Sequence, residues 1–231
     1  MSQIDGEPQT QDPFAGIRSR MVRDQLASRG IRDTATLSAM GLVPREAFVP
    51  PSHRDRAYED GALSIGGGQT ISQPYIVARM TEALDHDGLG WPWGDERPRF
   101  LDVGTGSGYQ AAVLAQIGSR VTSIERDPQL ASEARERLRG LGYDVNVVVG
   151  DGSEGYPPDA PYRGIVVAAG APSVPPPLVE QLADGGRLVI PVGPRDRQWL
   201  TIVERHGEEL ETRTSDACVF VPLVGRFGHP S

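Results

Sequence analysis

The sequence predicts an α/β fold: a doubly wound, mostly parallel sheet with an antiparallel edge, preceded by a helical segment. Three observations carry this. From Arg99 onward, short apolar runs alternate with helix-length runs over roughly 100 residues, the pattern of a parallel sheet covered on both faces. The first apolar run, RFLDV, leads straight into Gly104-Thr105-Gly106-Ser107-Gly108 and then into a helix. Two strand-like runs near the end of the chain have no helix between them, which calls for antiparallel pairing.

Residues 1–13 are polar and aperiodic and are expected to be a disordered tail. Phe14, Ile17, Met21, Val22 and Leu26 then recur at helical spacing up to Gly30. Asp33 is a candidate N-cap for a second helix through Leu37 and Met40. Residues 43–74 are rich in Pro and Gly; at about 30 residues the stretch is long for a plain connection and points to function or disorder. Within it, Ser72 is a candidate N-cap of a third helix, with Pro74 in the first turn and Ile76, Val77, Met80 and Leu84 on one face. Residues 85–98 are turn-rich and read as a surface excursion.

The core elements follow. RFLDV is the first strand, and residues 109–117 form a helix. RVTSIE is the second strand, and Asp127-Pro128 starts a helix carrying Leu130, Ala134 and Leu138 on one face. DVNVVVG and YRGIVVAA are the third and fourth strands. A helix containing Leu178, Val179 and Leu182 is expected to end at Gly185-Gly186, before the fifth strand RLVIPV. QWLTIVER and ACVFVPL complete the sheet. This gives a tail over 1–13, a helical and loop cap over 14–98, a Rossmann-like core over 99–224 and a second tail over 225–231.

The formal net charge is −8. That argues against broad binding to nucleic acid, which depends on basic surface. No run approaches the roughly 18 apolar residues of a membrane helix. The polar, acidic start does not read as a secretory signal. A single cysteine, Cys218, allows no intrachain disulfide and no C-x-x-C zinc site; it is expected to be an inert thiol. The four histidines lack metal-ligand spacing, so no metal is expected. A cytoplasmic location is expected.

Glycines let the loop turn sharply and let a ligand approach bare main chain. The spacing is G-x-G-x-G, not the G-x-G-x-x-G of dinucleotide binders. Asp102, just before the loop, would repel a pyrophosphate and attract the ammonium of a methionine moiety, which favours S-adenosylmethionine over NAD. Glu125 ends the second strand about 20 residues on, where a carboxylate takes ribose hydroxyls. Asp151, in Gly150-Asp151-Gly152, ends the third strand and can face an adenine amino group. Each acid alone is ordinarily a solvated residue or a cap. Three at consecutive strand ends predict a nucleoside-type cofactor site.

Val43-Pro44-Arg45-Glu46, the Gln69 to Pro74 run, Asp102 to Tyr109, Gly150-Asp151-Gly152, Ile190-Pro191-Val192-Gly193 and Phe220-Val221-Pro222-Leu223 follow one another along the chain. Together these motifs resemble the protein-L-isoaspartate O-methyltransferase family. The resemblance covers residues 14–224. It implies methyl transfer from S-adenosylmethionine to the α-carboxylate of L-isoaspartyl residues in damaged proteins, with a monomer expected. It puts Ser72 in the catalytic role. Around the cofactor it implies Gln69, Thr70, Tyr75, Asp102, Val103, Gly104, Thr105, Gly106, Glu125, Arg126, Asp151 and Gly152. Ile71, Ser72, Val221, Pro222 and Leu223 would meet the peptide. Ser64 departs from the family, which commonly has proline there. Two alternatives stay open at this level: a related O-methyltransferase acting on an aspartate of a dedicated partner peptide, and an idle binding protein that retains the fold.

Overall fold

The computed structural model describes residues 12–84 and 97–230. The expectations for residues 1–13 and 85–98 therefore fall almost entirely outside the described residues.

The first helical run starts as α1 (Ala15–Arg20), passes through a π-helical turn and ends in a 3-10 turn before Gly30. α2 (Thr34–Leu42) is capped as expected: the Asp33 carboxylate accepts from the Ala35 and Thr36 amides. The long connection over 43–74 is more ordered than its composition suggests. It contains two 3-10 turns and a hairpin, β1 (Leu63–Gly66) and β2 (Gln69–Ile71), with Gly67 and Gly68 at the turn. Strands of three or four residues carry too little alternation to be read from sequence. α3 (Pro74–Ala83) follows, with Pro at its first position.

The sheet strands are β3 (Arg99–Val103), β4 (Arg120–Glu125), β5 (Val145–Val149), β6 (Tyr162–Val167), β7 (Leu182–Val192), β8 (Gln198–His206) and β9 (Glu209–Cys218). Helices α4 (Tyr109–Ile117), α5 (Pro128–Gly140) and α6 (Pro176–Glu180) connect them. The strand order is β5-β4-β3-β6-β7-β8-β9. β3 to β7 pair in parallel, and β7-β8 and β8-β9 are antiparallel. The doubly wound sheet with its antiparallel edge is therefore as predicted.

Two boundaries differ. The helix expected to run to Gly185 stops at Glu180, and Leu182 opens β7. The Tyr162 amide donates to the Gln181 carbonyl at 2.8 Å, and Leu182 pairs with Tyr162. Sheet pairing overrides the helical spacing, and Gly185-Gly186 lie at an irregularity in β7 instead of ending a helix. The last strand is not ACVFVPL but the polar segment before it. β9 is the sheet's edge, so its side chains face water. The run beyond Cys218 leaves the sheet, and the Gly170 amide donates to the Val221 carbonyl. It is apolar because it covers the interior: Leu223 is buried in the core.

The N-terminal helices share one core with the sheet's helices. Met21, Leu26, Met40 and Phe48 pack in one cluster with Tyr109, Val113, Ala131 and Leu138. Residues 225–230 are fastened as well: the Arg226 amide donates to Asp151 Oδ2 at 2.7 Å, and the Phe227 amide to Ser153 Oγ at 3.0 Å.

Candidate active site

β3 lies between β4 and β6, so the strand order reverses at its carboxyl end. Open parallel sheets bind ligands in the crevice at such a point. Here a cavity of about 290 Å³ opens, lined by the glycine loop, Glu125, the residues of β2, Ser72 and the segment 219–224.

The loop's three glycines all take positive φ, at 91°, 51° and 90° for Gly104, Gly106 and Gly108. L-residues rarely adopt this, and the bare backbone leaves room for a ligand. Glu125 is nearly buried, and both its oxygens are held: Oε2 accepts from the Gly106 amide at 3.0 Å and Oε1 from the Asp127 amide at 3.1 Å. The carboxylate is thus aimed at the cleft before any ligand arrives. Val103, Thr105, Arg126 and Gly152 also line the cleft.

Asp102 sits behind this surface. It is fully buried and does not line the cavity. Ser123 Oγ donates to its Oδ2 at 2.7 Å, and Thr105 Oγ1 lies 2.6 Å from Ser123 Oγ, so a polar chain ties the acid to the loop. Its Oδ1 has no hydrogen-bond partner among the described residues. Burial pushes its pKa up to about 7, and the nearby Glu125 charge adds to the effect. Asp151 is also set back from the cavity: it accepts from the Ser153 amide and hydroxyl and from the Arg226 amide. Of the three acids, only Glu125 lines the cleft.

On the facing wall stand Gln69, Thr70, Ile71 and Ser72. Ser72 does not cap the third helix; the cap position is Gln73, and no side chain fills it. No protein group among the described residues engages the Ser72 hydroxyl, so it is available to a ligand. Its carbonyl is held by Arg45 Nη2 at 2.7 Å. Tyr75 is not brought to the cavity; the Arg29 guanidinium stacks on its ring at 3.7 Å. Val221, Pro222 and Leu223 form part of the third wall, with Cys218 beside them. Burial and Asp216 push the Cys218 thiol up to about 11, which keeps it protonated.

Sequence reasoning did not single out Ile76, Met80 and Gln110, which also line the cleft. Ile76 and Met80 read only as an apolar helix face. Gln110 had a usable signal, as a polar side chain near the start of an apolar helix; its amide donates to Thr81 Oγ1 at 2.9 Å.

Residues 18–228 match the family model described as Protein-L-isoaspartate(D-aspartate) O-methyltransferase. The chain belongs to that family. It is accordingly a methyltransferase that uses S-adenosylmethionine. Among relatives of this family, the protein-L-isoaspartate O-methyltransferase of Methanoculleus marisnigri is 51% identical over 222 residues, covering 94% of this chain and 96% of its own. Protein-L-isoaspartate O-methyltransferase 2 of Pelobacter propionicus is 54% identical over 215 residues, covering 91% of this chain and 92% of its own. A solved protein-L-isoaspartate O-methyltransferase superimposes with a TM-score of 0.79 at 29% identity, over 91% of this chain and 67% of that one. A Plasmodium falciparum structure described as a putative member, in complex with S-adenosyl-L-homocysteine, shares the fold with a TM-score of 0.72 at 23% identity, over 90% of this chain and 98% of that one. Among the described residues, no helix is long and apolar enough to cross a membrane.

Proposed function

We propose that the cleft holds S-adenosylmethionine against the glycine loop and methylates the α-carboxylate of L-isoaspartyl residues met at Ser72. The observation that carries this is one cavity lined on one side by the glycine loop and Glu125 and on the other by the free Ser72 hydroxyl. The residues present fit the donor. Glu125 offers a fixed carboxylate for the ribose hydroxyls, and the buried Asp102 carboxylate behind the loop, its Oδ1 without a hydrogen-bond partner among the described residues, favours a cationic group in front of it.

When bound, S-adenosylmethionine supplies an electrophilic methyl group on a sulfonium. The chain's own residues orient the acceptor and exclude water. The substrate carboxylate has a pKa near ~4 and is already ionised, so no general base is required. The Ser72 hydroxyl donates a hydrogen bond to that carboxylate and aims one oxygen at the methyl group. Ile76, Met80 and Phe220 contribute apolar lining that keeps water out. The ester so formed closes to a succinimide as the following backbone nitrogen attacks its carbonyl and methanol leaves. Hydrolysis of the ring returns some normal aspartate. The same reading has the enzyme act as a cytoplasmic monomer, the single cysteine being consistent with a reducing compartment.

The test is transfer of label from S-adenosylmethionine to paired isoaspartyl and aspartyl peptides, read as base-labile methyl ester. Label on the isoaspartyl peptide alone is expected; label on neither would sink the reading, and preference for the aspartyl peptide would favour a dedicated-partner enzyme. Ser72→Ala is expected to lower kcat/KM for the peptide by about 10- to 100-fold while leaving cofactor affinity within about threefold. Unchanged kcat and KM would remove Ser72 from the mechanism.

A pH dependence follows from Asp102. An approaching ammonium favours the ionised carboxylate, whose pKa lies at about 7 without the ligand. Affinity for S-adenosylmethionine should therefore rise as pH climbs toward 7 and level off above it. Calorimetry across this range checks the trend, and Asp102→Asn should flatten it; a flat wild-type profile would count against the assignment. Stability has the opposite sign. The unfolded carboxyl ionises near 3.8 and the folded one near 7, so the folded state binds more protons in between. The Asp102 contribution to stability therefore falls as pH rises through that window.

A further inference from the structure

Arg45 is an expensive residue in its setting. It opens the first 3-10 turn after α2, and its side chain is completely buried. Burying a guanidinium costs several kcal/mol unless the charge is paired, yet no carboxylate forms an ion pair with it among the described residues. Nε donates to the Ala57 carbonyl and Nη2 to the Ser72 carbonyl, both at 2.7 Å. Nη1 is buried with no hydrogen-bond partner among the described residues, and the Tyr109 side chain beside the guanidinium favours its charged form. The guanidinium carbon lies 4.9 Å from the ring centroid of Tyr109. Tyr109 is the first residue of α4, immediately after the glycine loop, and lines the cleft.

One planar cation therefore touches both walls of the site. It holds the main chain of Ser72 on the substrate side and packs on the residue that follows the cofactor loop. A methionine of similar length would fill the space without a desolvated charge. Stability alone does not account for an arginine here.

We infer that Arg45 is a positioning residue for methyl transfer, its forked guanidinium fixing the Ser72 segment relative to the glycine-loop helix. The inference rests on Ser72 being the residue that meets the substrate carboxylate. A lysine keeps the charge but has one nitrogen where two divergent donors are needed. Misplacing a reacting group by about 1 Å can cost on the order of 100-fold in rate.

The test is a double-mutant cycle on the full chain, comparing R45K and R45M alone and combined with Ser72→Ala. Each variant is measured for kcat, KM and S-adenosylmethionine affinity. The expectation is a kcat about 10-fold lower for R45K and about 100-fold lower for R45M, with cofactor Kd within about threefold of wild type. In the Ser72→Ala background, either substitution should cost no more than about threefold further, because its effect runs through Ser72. Should R45M fail to fold, R45K and R45Q carry the same cycle. Full additivity with Ser72→Ala would overturn the inference and leave the function intact, as would a loss confined to cofactor affinity. If Ser72→Ala itself retained wild-type turnover, both the inference and the proposed role of Ser72 would fall.

Discussion

Gly164→Ala is expected to lower the melting temperature by roughly 6–12 °C, from a loss of about 3 kcal/mol. Gly164 lies within β6, opposite Phe100 of β3. A Cβ there would fall deep inside the van der Waals envelope of Phe100 Cε1 and Cδ1. Phe100 is itself 1% exposed, so the ring has nowhere to go. Both strands flank the switch point, and any relief must come from parting them or tilting the ring into the packed layer behind. Overpacking of this kind usually costs 1–3 kcal/mol, and more where neighbours cannot shift. A thermal melt by circular dichroism reads the effect directly. A midpoint within about 2 °C of wild type would show that the β3-β6 layer yields more than its packing implies.

The second large effect is expected at Glu125. Removing its carboxylate by Glu125→Ala should weaken S-adenosylmethionine binding by roughly 100-fold, or about 3 kcal/mol, through loss of two charge-assisted hydrogen bonds to the ribose. Part of the loss comes from within the protein, since the Gly106 amide gives up its acceptor. Glu125→Gln keeps the shape and one acceptor oxygen, and an intermediate affinity is expected. Isothermal calorimetry with S-adenosylmethionine measures both variants. An affinity for Glu125→Ala within threefold of wild type would mean that the ribose is held elsewhere.

The parallel half of the sheet could be read because its signals are local and mutually consistent. Residues 109–117 form the helix expected of them, Asp127-Pro128 cap and start the next, and the strand RVTSIE has the bounds of β4. Where tertiary pairing competes with local pattern, the reading fails. Leu182 has helical spacing from Leu178 but pairs with Tyr162 instead. The β9 edge looks like a polar loop because one side faces solvent. The site was legible to the same degree. Glu125 and Ser72 both line the cleft. Asp102 and Asp151 occupy the expected strand ends, but a strand-end position does not say which way a side chain points or what else it binds. Asp102 turns to Ser123 and Asp151 to Ser153 and Arg226. Arg45 stands in one of the family-like motifs, but a buried arginine and a surface one look alike in sequence, so its burial and its hold on the Ser72 carbonyl could not be read.

The shared packing of Met21, Met40 and Phe48 with Tyr109, Val113 and Leu138 has a consequence for how the molecule responds to its cofactor. A helix that buries its apolar face against α4 and α5 cannot come away without exposing theirs. The elements around Met21, Met40 and Phe48 and the nucleotide-binding half are therefore expected to open together rather than separately. A ligand that stabilises the glycine loop adds its binding free energy to that whole unit. Cofactor occupancy is thus expected to slow local opening in α2, a helix that packs on α4 but does not line the cleft.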